Sequence, residues 1–469
     1  MLSVRRRRSL LSASWGSLLC VCLLHLCMFT SPATGGANCD VTDPQGCTAM
    51  HICLERDVGS HALFQALMDA KADLNLPNKA KRTPLHIATL RLGELQDAEA
   101  MCLAIIGCGR ANLDLQTADG STTLMIAAAL AHLTVVKALL HACANPNLRN
   151  ASQDTALTLA AARHAAAVMG ELLGAGADVN AANNAGDTAA HLACRSIGGG
   201  DAGGGGAKAR SWGPDAAQAL LRSSALKLDL ANGEGQTALA VLAASARWFE
   251  GAVGVAGAMV AQSTCTLNNL DKRGLSALHY CLGAGPACGG LSGLGHGPAM
   301  ALALVSSAKC DVDLLSRDNA AEAALHRVSQ LGLPDVCAAL LARGANPNAA
   351  NGSGMRPLHL AIQGGGADAK RTRVAEQLIE NAKTDPDLAT PAGQTPLLMV
   401  VLQLREALVA AIIKRGADPN IADERGDTPL HAALRLLGAY VASTLWWSVI
   451  GLMNRGDRWS VFRRGDDVD

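Results

Sequence analysis

Aromatic side chains are scarce in this chain: four Phe, two Tyr and six Trp, or 3% of 469 residues. Large interiors draw much of their packing from such rings, so the core here must be assembled from smaller pieces. Charge is modest at 17%, and 40 basic residues cancel 40 acidic ones. No sustained basic face is visible, which sets nucleic acid aside as a partner. Motifs that carry chemistry are missing too. There is no His-Glu-x-x-His pattern, Walker loop or kinase set, and the fifteen cysteines include no Cys-x-x-Cys pair. Gly198-Gly199-Gly200-Asp201-Ala202-Gly203 matches Gly-x-Gly-x-x-Gly. A dinucleotide site needs a strand before that motif and a helix opening on its last Gly. Here a helical segment ending His191-Leu192-Ala193-Cys194 precedes it and more glycine follows, so the match is fortuitous. No enzyme activity, cofactor or metal is expected.

What is abundant is a recurring box, best seen in Thr83-Pro84-Leu85-His86-Ile87-Ala88 and Thr428-Pro429-Leu430-His431-Ala432-Ala433. With the Thr position as marker, the boxes fall at Thr48, Thr83, Thr122, Thr155, Thr188, Thr237, Ser276, Ala323, Arg356, Thr395 and Thr428. Four of the steps are 33 residues and none is shorter, the signature of a stacked repeat with variable loops. Length alone suggests about three domains, whereas the boxes point to a single elongated array. Each box reads as a helix start: Thr as N-cap, Pro at the first helical position, Leu as first core contact. The His three residues past the marker is placed to reach back to the cap. Gly46, Gly120, Gly186, Gly235, Gly274, Gly354, Gly393 and Gly426 stand two residues before the marker, where a tight turn needs positive φ. A second apolar helix follows, with Val135, Val136, Leu139 and Leu140 in one copy, and Val336, Leu340 and Leu341 in another. It ends on Gly-Ala-Asp-Val-Asn (Gly176 to Asn180), Gly-Ala-Asn-Pro-Asn (Gly344 to Asn348) or Gly-Ala-Asp-Pro-Asn (Gly416 to Asn420). Boxes seven to nine lack the Thr or the Pro, and their caps are expected to be weaker by roughly 1 kcal/mol each.

The period and the Thr-Pro-Leu-His box resemble the ankyrin repeat over roughly residues 41–457. The resemblance implies an all-α solenoid of helix-turn-helix units joined by β-hairpin-like turns, working as a non-enzymatic protein–protein scaffold. It also implies that partners are held by the projecting turns and the concave face. Carried onto this sequence, those turn positions include Lys79, Lys81, Arg82, Arg149, Lys272, Arg273, Arg317, Arg356 and Arg425. Their basic lean suggests a partner with acidic patches. A monomer is expected. The competing readings are a substrate-recruiting accessory of a modifying enzyme and a secreted effector. Seven of the thirteen histidines (His51, His86, His191, His279, His326, His359, His431) occupy the box, one per repeat, and are expected to cap helices rather than bind metal.

Several segments depart from the array. Arg5 to Arg8 precede an apolar run and then Ser31, Ala33, Gly35, Gly36 and Ala37, so residues 1–37 read as a signal peptide or signal anchor. That places the chain in the secretory pathway or on a membrane through its N-terminus, with cytoplasmic and mitochondrial locations as alternatives. Glycine-rich loop insertions are expected at about 196–213 and 282–298, and a polar tail at 458–469. The uncharged run Leu436 to Met453 has the length of a membrane span. Its register instead gives the second helix of repeat eleven at Leu445 to Met453, with Trp446 and Trp447 covering the end of the stack. The sequons at Asn150 and Asn351 fall in turns. Arg-Gly-Asp at Arg425, Arg455 and Arg464 reads as turn and helix-end sequence. Most cysteines outside the leader read as small core residues.

Overall fold

The computed structural model describes residues 38–55, 60–94, 97–195, 214–245, 251–283, 295–363 and 369–437. The leader, the tail, the Gly198–Gly206 insertion, residues 284–294 and the run beyond Leu437 lie outside the described residues. So do the Arg-Gly-Asp copies at Arg455 and Arg464.

Among the described residues there are 21 helices and no strands. Every one of the eleven boxes opens a helix at the residue after its marker. In chain order the helices are α1 (Ala49–Glu55), α2 (Ser60–Asp69), α3 (Pro84–Leu90), α4 (Ala98–Gly107), α5 (Thr123–Ala129), α6 (Leu133–His141) and α7 (Ala156–Ala162). Then come α8 (Ala166–Gly174), α9 (Ala189–Cys194), α10 (Pro214–Leu221), α11 (Ala238–Ser245), α12 (Ala252–Ala261), α13 (Ala277–Cys281) and α14 (Gly297–Val305). The series ends with α15 (Ala324–Leu331), α16 (Pro334–Ala342), α17 (Pro357–Gln363), α18 (Ala369–Glu380), α19 (Pro396–Leu402), α20 (Glu406–Arg415) and α21 (Pro429–Leu437). Gly297 and Pro298, expected in the second insertion, belong instead to α14, whose first turn suits a proline; Gly297 packs so close to Cys281 that a Cβ would lie 2.4 Å from its carbonyl oxygen.

Helices this short are not stable alone, so stacking must hold them. The chain forms two compact blocks. In the first, residues 38–195 with 214–227, the first helices α1, α3, α5, α7 and α9 pack in series, as do α4, α6, α8 and α10. In the second, residues 228–437, α11, α13, α15, α17, α19 and α21 make one layer, and α12, α14, α16, α18 and α20 the other. The core is mostly Leu, Ala and Val, and eight cysteines are buried in it: Cys47, Cys53, Cys102, Cys194, Cys265, Cys281, Cys310 and Cys337. No helix among the described residues is long and apolar enough to cross a membrane.

The histidine does more than cap. Thr48 N–H donates to His51 Nδ1 at 3.1 Å and the Thr48 hydroxyl lies 2.8 Å from the same nitrogen. An Nδ1 that accepts carries no proton, so Nε2 does, and it donates to the Arg82 carbonyl of the next repeat at 2.9 Å. His279 and His326 reach Glu322 and Ala349 carbonyls in the same way. In these three repeats the box histidine thus ties its helix start to the following repeat. Where no His is present, as at Met125, Thr158, Ala240 and Leu398, the Thr hydroxyl turns to accept the first-turn N–H at 3.3 Å.

The three boxes expected to have weaker caps, in repeats seven to nine, differ from one another. Ser276 makes the full hydroxyl–imidazole contact at 2.7 Å. Ala323 and Arg356 lack a hydroxyl and so offer no side-chain acceptor to the first turn, but their own N–H groups still donate to His326 and His359.

Two further devices stitch the repeats. After each second helix, Asp and Asn side chains bond along the chain and across repeats. Asp418 N–H donates to Asp387 and Asn420 N–H to Asp418, and Asn147 accepts from Asp178 N–H while its amide donates to the Gly176 carbonyl. The second device is an arginine that reaches back to the carbonyl end of the preceding second helix, where the helix dipole is negative. Arg343 donates to the carbonyls of Val305, Ser307, Ala308 and Cys310. Arg110 and Arg415 do the same for Ala72 and Ala382. Arg343→Met keeps most of the stem and removes the donors, and should lower unfolding free energy by about 1.5–3 kcal/mol. Urea titration of the second block would show it; an unchanged midpoint contradicts the role.

Candidate interaction surface

The turns before each box are built to one plan. Five residues before the marker stands Asp, Asn or Thr, whose side-chain oxygen accepts from backbone N–H groups further round the turn. Asn78 accepts from Ala80 and Arg82, Asn232 from Glu234 and Gln236, and Asp271 from Arg273 and Leu275, all near 3.0 Å. Residue-type reasoning missed this position, although its fixed offset ahead of the Gly was visible in the sequence.

Two residues before the marker the chain takes positive φ in every repeat. All eight expected glycines do so, from +72° at Gly354 to +81° at Gly426. The three repeats without Gly there hold Lys81, Gln153 and Ala321 at +54°, +61° and +42°. The turn therefore imposes the conformation whatever the side chain. Glycine also allows close approach: a Cβ on Gly120 would lie 2.9 Å from Ala151 N of the next turn. Gln153→Gly should relieve left-handed strain and stabilise the first block by about 1 kcal/mol; a fall in thermal midpoint would contradict this.

Adjoining turns are joined by backbone hydrogen bonds. In the first block Lys79, Ala118, Ala151 and Asn184 N–H groups donate to the Gln45, Ala80, Asp119 and Ser152 carbonyls. In the second, Lys272, Arg317, Gly352 and Glu424 donate to Glu234, Gly274, Ala320 and Ala392. Between repeats nine and ten the equivalent residue is Pro391, which has no N–H to give. The turns thus form a hydrogen-bonded rail within each block, presenting side chains from a backbone that does not need to order on binding.

The nine cations expected to meet a partner are divided between the turns of the two blocks. Lys79, Lys81 and Arg82 are exposed together on one turn of the first block. Lys272 and Arg273 are exposed on a turn of the second block, and Arg317 N–H bonds to Gly274 O of that turn, so these three sit on neighbouring turns. Arg149 and Arg425 are exposed; Arg149 spends one donor on the Ala182 carbonyl at 3.1 Å. Arg356 is half-buried and bonded to the Gly354 and Ala389 carbonyls, so its charge is committed to the fold rather than to a partner.

Several carboxylates of the same turns face inward. Asp271 is buried and takes the Tyr280 hydroxyl as well as two backbone donors; burial and the neighbouring Asp271 push that phenol up to about 12. Glu322 is buried against Gln330 and Arg327. Asp119 is exposed, and it accepts from the Thr117 and Ser121 hydroxyls, which hold its carboxyl below the usual range. In the second block cations therefore face out where Asp271 and Glu322 are consumed internally, although Glu234, Asp318 and Glu424 remain exposed.

Other sequence features resolve into turn geometry. In Arg425-Gly426-Asp427 the Asp pairs with Arg435 and its N–H bonds to Asp423. The sequon residues Asn150 and Asn351 both use Oδ1 to hold their turns, accepting from Ser152 and Asp154, and from Ser353 and Met355. Among the described residues, no group of three or more His, Cys, Asp or Glu side chains is arranged to hold a metal.

A family model for ankyrin repeats in three copies matches residues 94–183 and 124–202. Neurogenic locus notch homolog protein 2 of Homo sapiens is 37% identical over 116 residues, 25% of this chain and 4% of that protein. Neurogenic locus notch homolog protein 1 of Xenopus tropicalis is 34% identical over 128 residues, 27% of this chain and 5% of that protein. The chain thus matches only a small part of the length of these relatives. Among solved structures, the ankyrin repeat domain of Bcl-3, a member of the IkappaB protein family, aligns at 24% identity over 55% of this chain and 98% of its own, with a TM-score of 0.41.

Proposed function

We propose that this chain, an ankyrin repeat protein, is a scaffold for protein partners with acidic patches, each block offering its own cationic turn cluster. These are Lys79, Lys81 and Arg82 in the first block, and Lys272, Arg273 and Arg317 in the second. Ankyrin repeats are protein–protein interaction modules; the finer reading rests on charge placed on a preordered rail. The carrying observation is that Lys81 stays at φ +54° where eight other repeats have Gly. The strained position keeps a cation outward at some cost in stability. Electrostatic complementarity of this kind acts mainly on association rate and specificity. Working as a monomer, the scaffold would be delivered to a secretory or membrane system by the basic and apolar leader of residues 1–37.

Replacing Lys79, Lys81 and Arg82 together by Ala should leave the thermal midpoint within about 2 °C, because the three side chains are exposed. It should weaken the partner by about tenfold and flatten the salt dependence of binding. Affinity purification with the full chain, followed by mass spectrometry, identifies the partner to be measured. Unchanged affinity in the triple variant would remove the first cluster from the site. Intact-mass analysis of the protein recovered from cells tests the leader: retention of residues 1–37 argues against cleavage and secretion.

A further inference from the structure

Asn stands five residues before the marker in five turns: Asn78, Asn150, Asn183, Asn232 and Asn351. In four of them the N–H of the next residue is spent on the rail. Lys79 donates to Gln45, Ala151 to Asp119, Asn184 to Ser152 and Gly352 to Ala320, at 2.7 to 3.0 Å. Repeat six opens the second block, and its Gly233 N–H makes no hydrogen bond among the described residues. Gly233 is exposed and lacks the Cβ that crowds this nitrogen at Lys79, Ala151 and Asn184. One turn therefore sets a side-chain amide beside a backbone nitrogen that is unhindered and uncommitted.

The amide itself is primed. Asn232 Oδ1 accepts from the Glu234 and Gln236 N–H groups, both at 3.0 Å. Those donors already face the oxygen on which negative charge gathers when a nucleophile adds to Cγ. Asn351 Oδ1 has the same kind of pair, Ser353 and Met355, and it too precedes a glycine. Yet Gly352 N–H is held by the Ala320 carbonyl at 2.7 Å, and a Cβ there would lie 2.5 Å from the Asn319 oxygen. The two Asn–Gly pairs share an acceptor plan and differ in whether the glycine nitrogen is tied down.

We propose that Asn232–Gly233 is a site of spontaneous deamidation and backbone rearrangement. Gly233 N bonds to Asn232 Cγ and gives up its proton; the Cγ–Nδ2 bond breaks, and Nδ2 leaves with that proton as ammonia. Water then opens the cyclic imide. Hydrolysis at Cγ gives aspartate, and hydrolysis at the backbone carbonyl gives isoaspartate, whose chain runs through Cγ. Nothing is oxidised or reduced. Aspartate suits this turn, since Asp271 and Asp423 hold the same place and accept from the corresponding N–H groups. Isoaspartate lengthens the backbone by a methylene and should loosen the 3.0 Å bond from Lys272 N–H to the Glu234 carbonyl. The turn beside Lys272 and Arg273 thus carries a slow chemical clock, independent of which partner the turns hold.

Ageing the full chain in mildly alkaline heavy-oxygen water, with acid digestion and peptide mapping by mass spectrometry, tests this. Residue 232 should take up the heavy oxygen about tenfold faster than residue 351, the difference set by one backbone hydrogen bond. In urea the two rates should converge. Electron-transfer fragmentation should find isoaspartate as well as aspartate at 232. Gly233→Lys, the residue that repeats two and seven carry there, should slow the reaction to the rate of residue 351 or below while keeping the thermal midpoint. Equal rates at 232 and 351 in the folded chain overturn the proposal, as does conversion of 232 only in urea. Aspartate without isoaspartate overturns it too, because that is direct hydrolysis with no ring, and so does an unchanged rate in Gly233→Lys.

Discussion

Lowering the pH from 7.5 to 4 should remove about 3 kcal/mol of stability for each of His86 and His359. Burial pushes both imidazoles from the ordinary 6.5 down to about 4, and 2.5 pH units correspond to roughly that free energy. The sign follows from proton uptake. Between 6.5 and about 4 the unfolded chain binds protons that the folded chain refuses, so stability is complete above 6.5 and falls as the pH drops through that window. Near His86, Asp119 opposes the shift and Arg82 reinforces it; Arg356 reinforces it at His359. Burial depresses His51, His279 and His326 in the same direction.

A geometric reason accompanies the burial. Each of these Nδ1 atoms accepts a backbone N–H from the cap residue, and protonation turns that acceptor into a donor facing a donor. His86 and His359 have in addition an Nε2 that is buried near carbonyls of the next repeat without a hydrogen bond to them. His86→Met is the informative variant, since repeat three has Met125 at this position. It should cost about 1 kcal/mol at pH 7.5 and flatten the acid loss, so that it becomes the more stable protein below about pH 5. Urea midpoints at pH 7.5, 5.5 and 4 measure both; parallel curves for the two proteins would refute the assignment.

Leu85→Ala should cost about 2–5 kcal/mol, and Leu430→Ala less than about half of that. The two leucines occupy the same box position, but Leu85 is 1% exposed on α3, which packs between α1 and α5, and Leu430 is half-buried on α21. A cavity forms only where neighbours surround the deleted atoms and cannot collapse onto the gap. Because each repeat touches only its neighbours, hydrogen exchange in Leu85→Ala should rise most in repeats one to three. Equal losses for the two variants would mean that box position alone, and not stacking, sets the contribution.

The helix starts were legible because they are local: Thr, Pro and Gly act on their own few dihedrals, and all eleven boxes open helices where the spacing puts them. The eight glycines were legible for the same reason. The conformation of Lys81, Gln153 and Ala321 was not, because nothing in those side chains favours positive φ; the flanking turn imposes it. Among the nine cations, sequence offered no way to separate Arg356 from Lys272. Both lie near a box, and only the approach of the next turn's Ala389 carbonyl commits Arg356 to the fold.

By itself, then, the sequence determined the period, the starts of the box helices, the core leucines and the turn glycines, since each depends on a residue and its immediate neighbours. The tertiary structure alone decided which nitrogen of a box histidine carries the proton, where Arg343 spends its donors, and which acids face inward. It also decided which turns bring their cations together. Those outcomes rest on atoms from repeats about 33 residues apart in the chain, and stacking is what brings them within hydrogen-bonding distance.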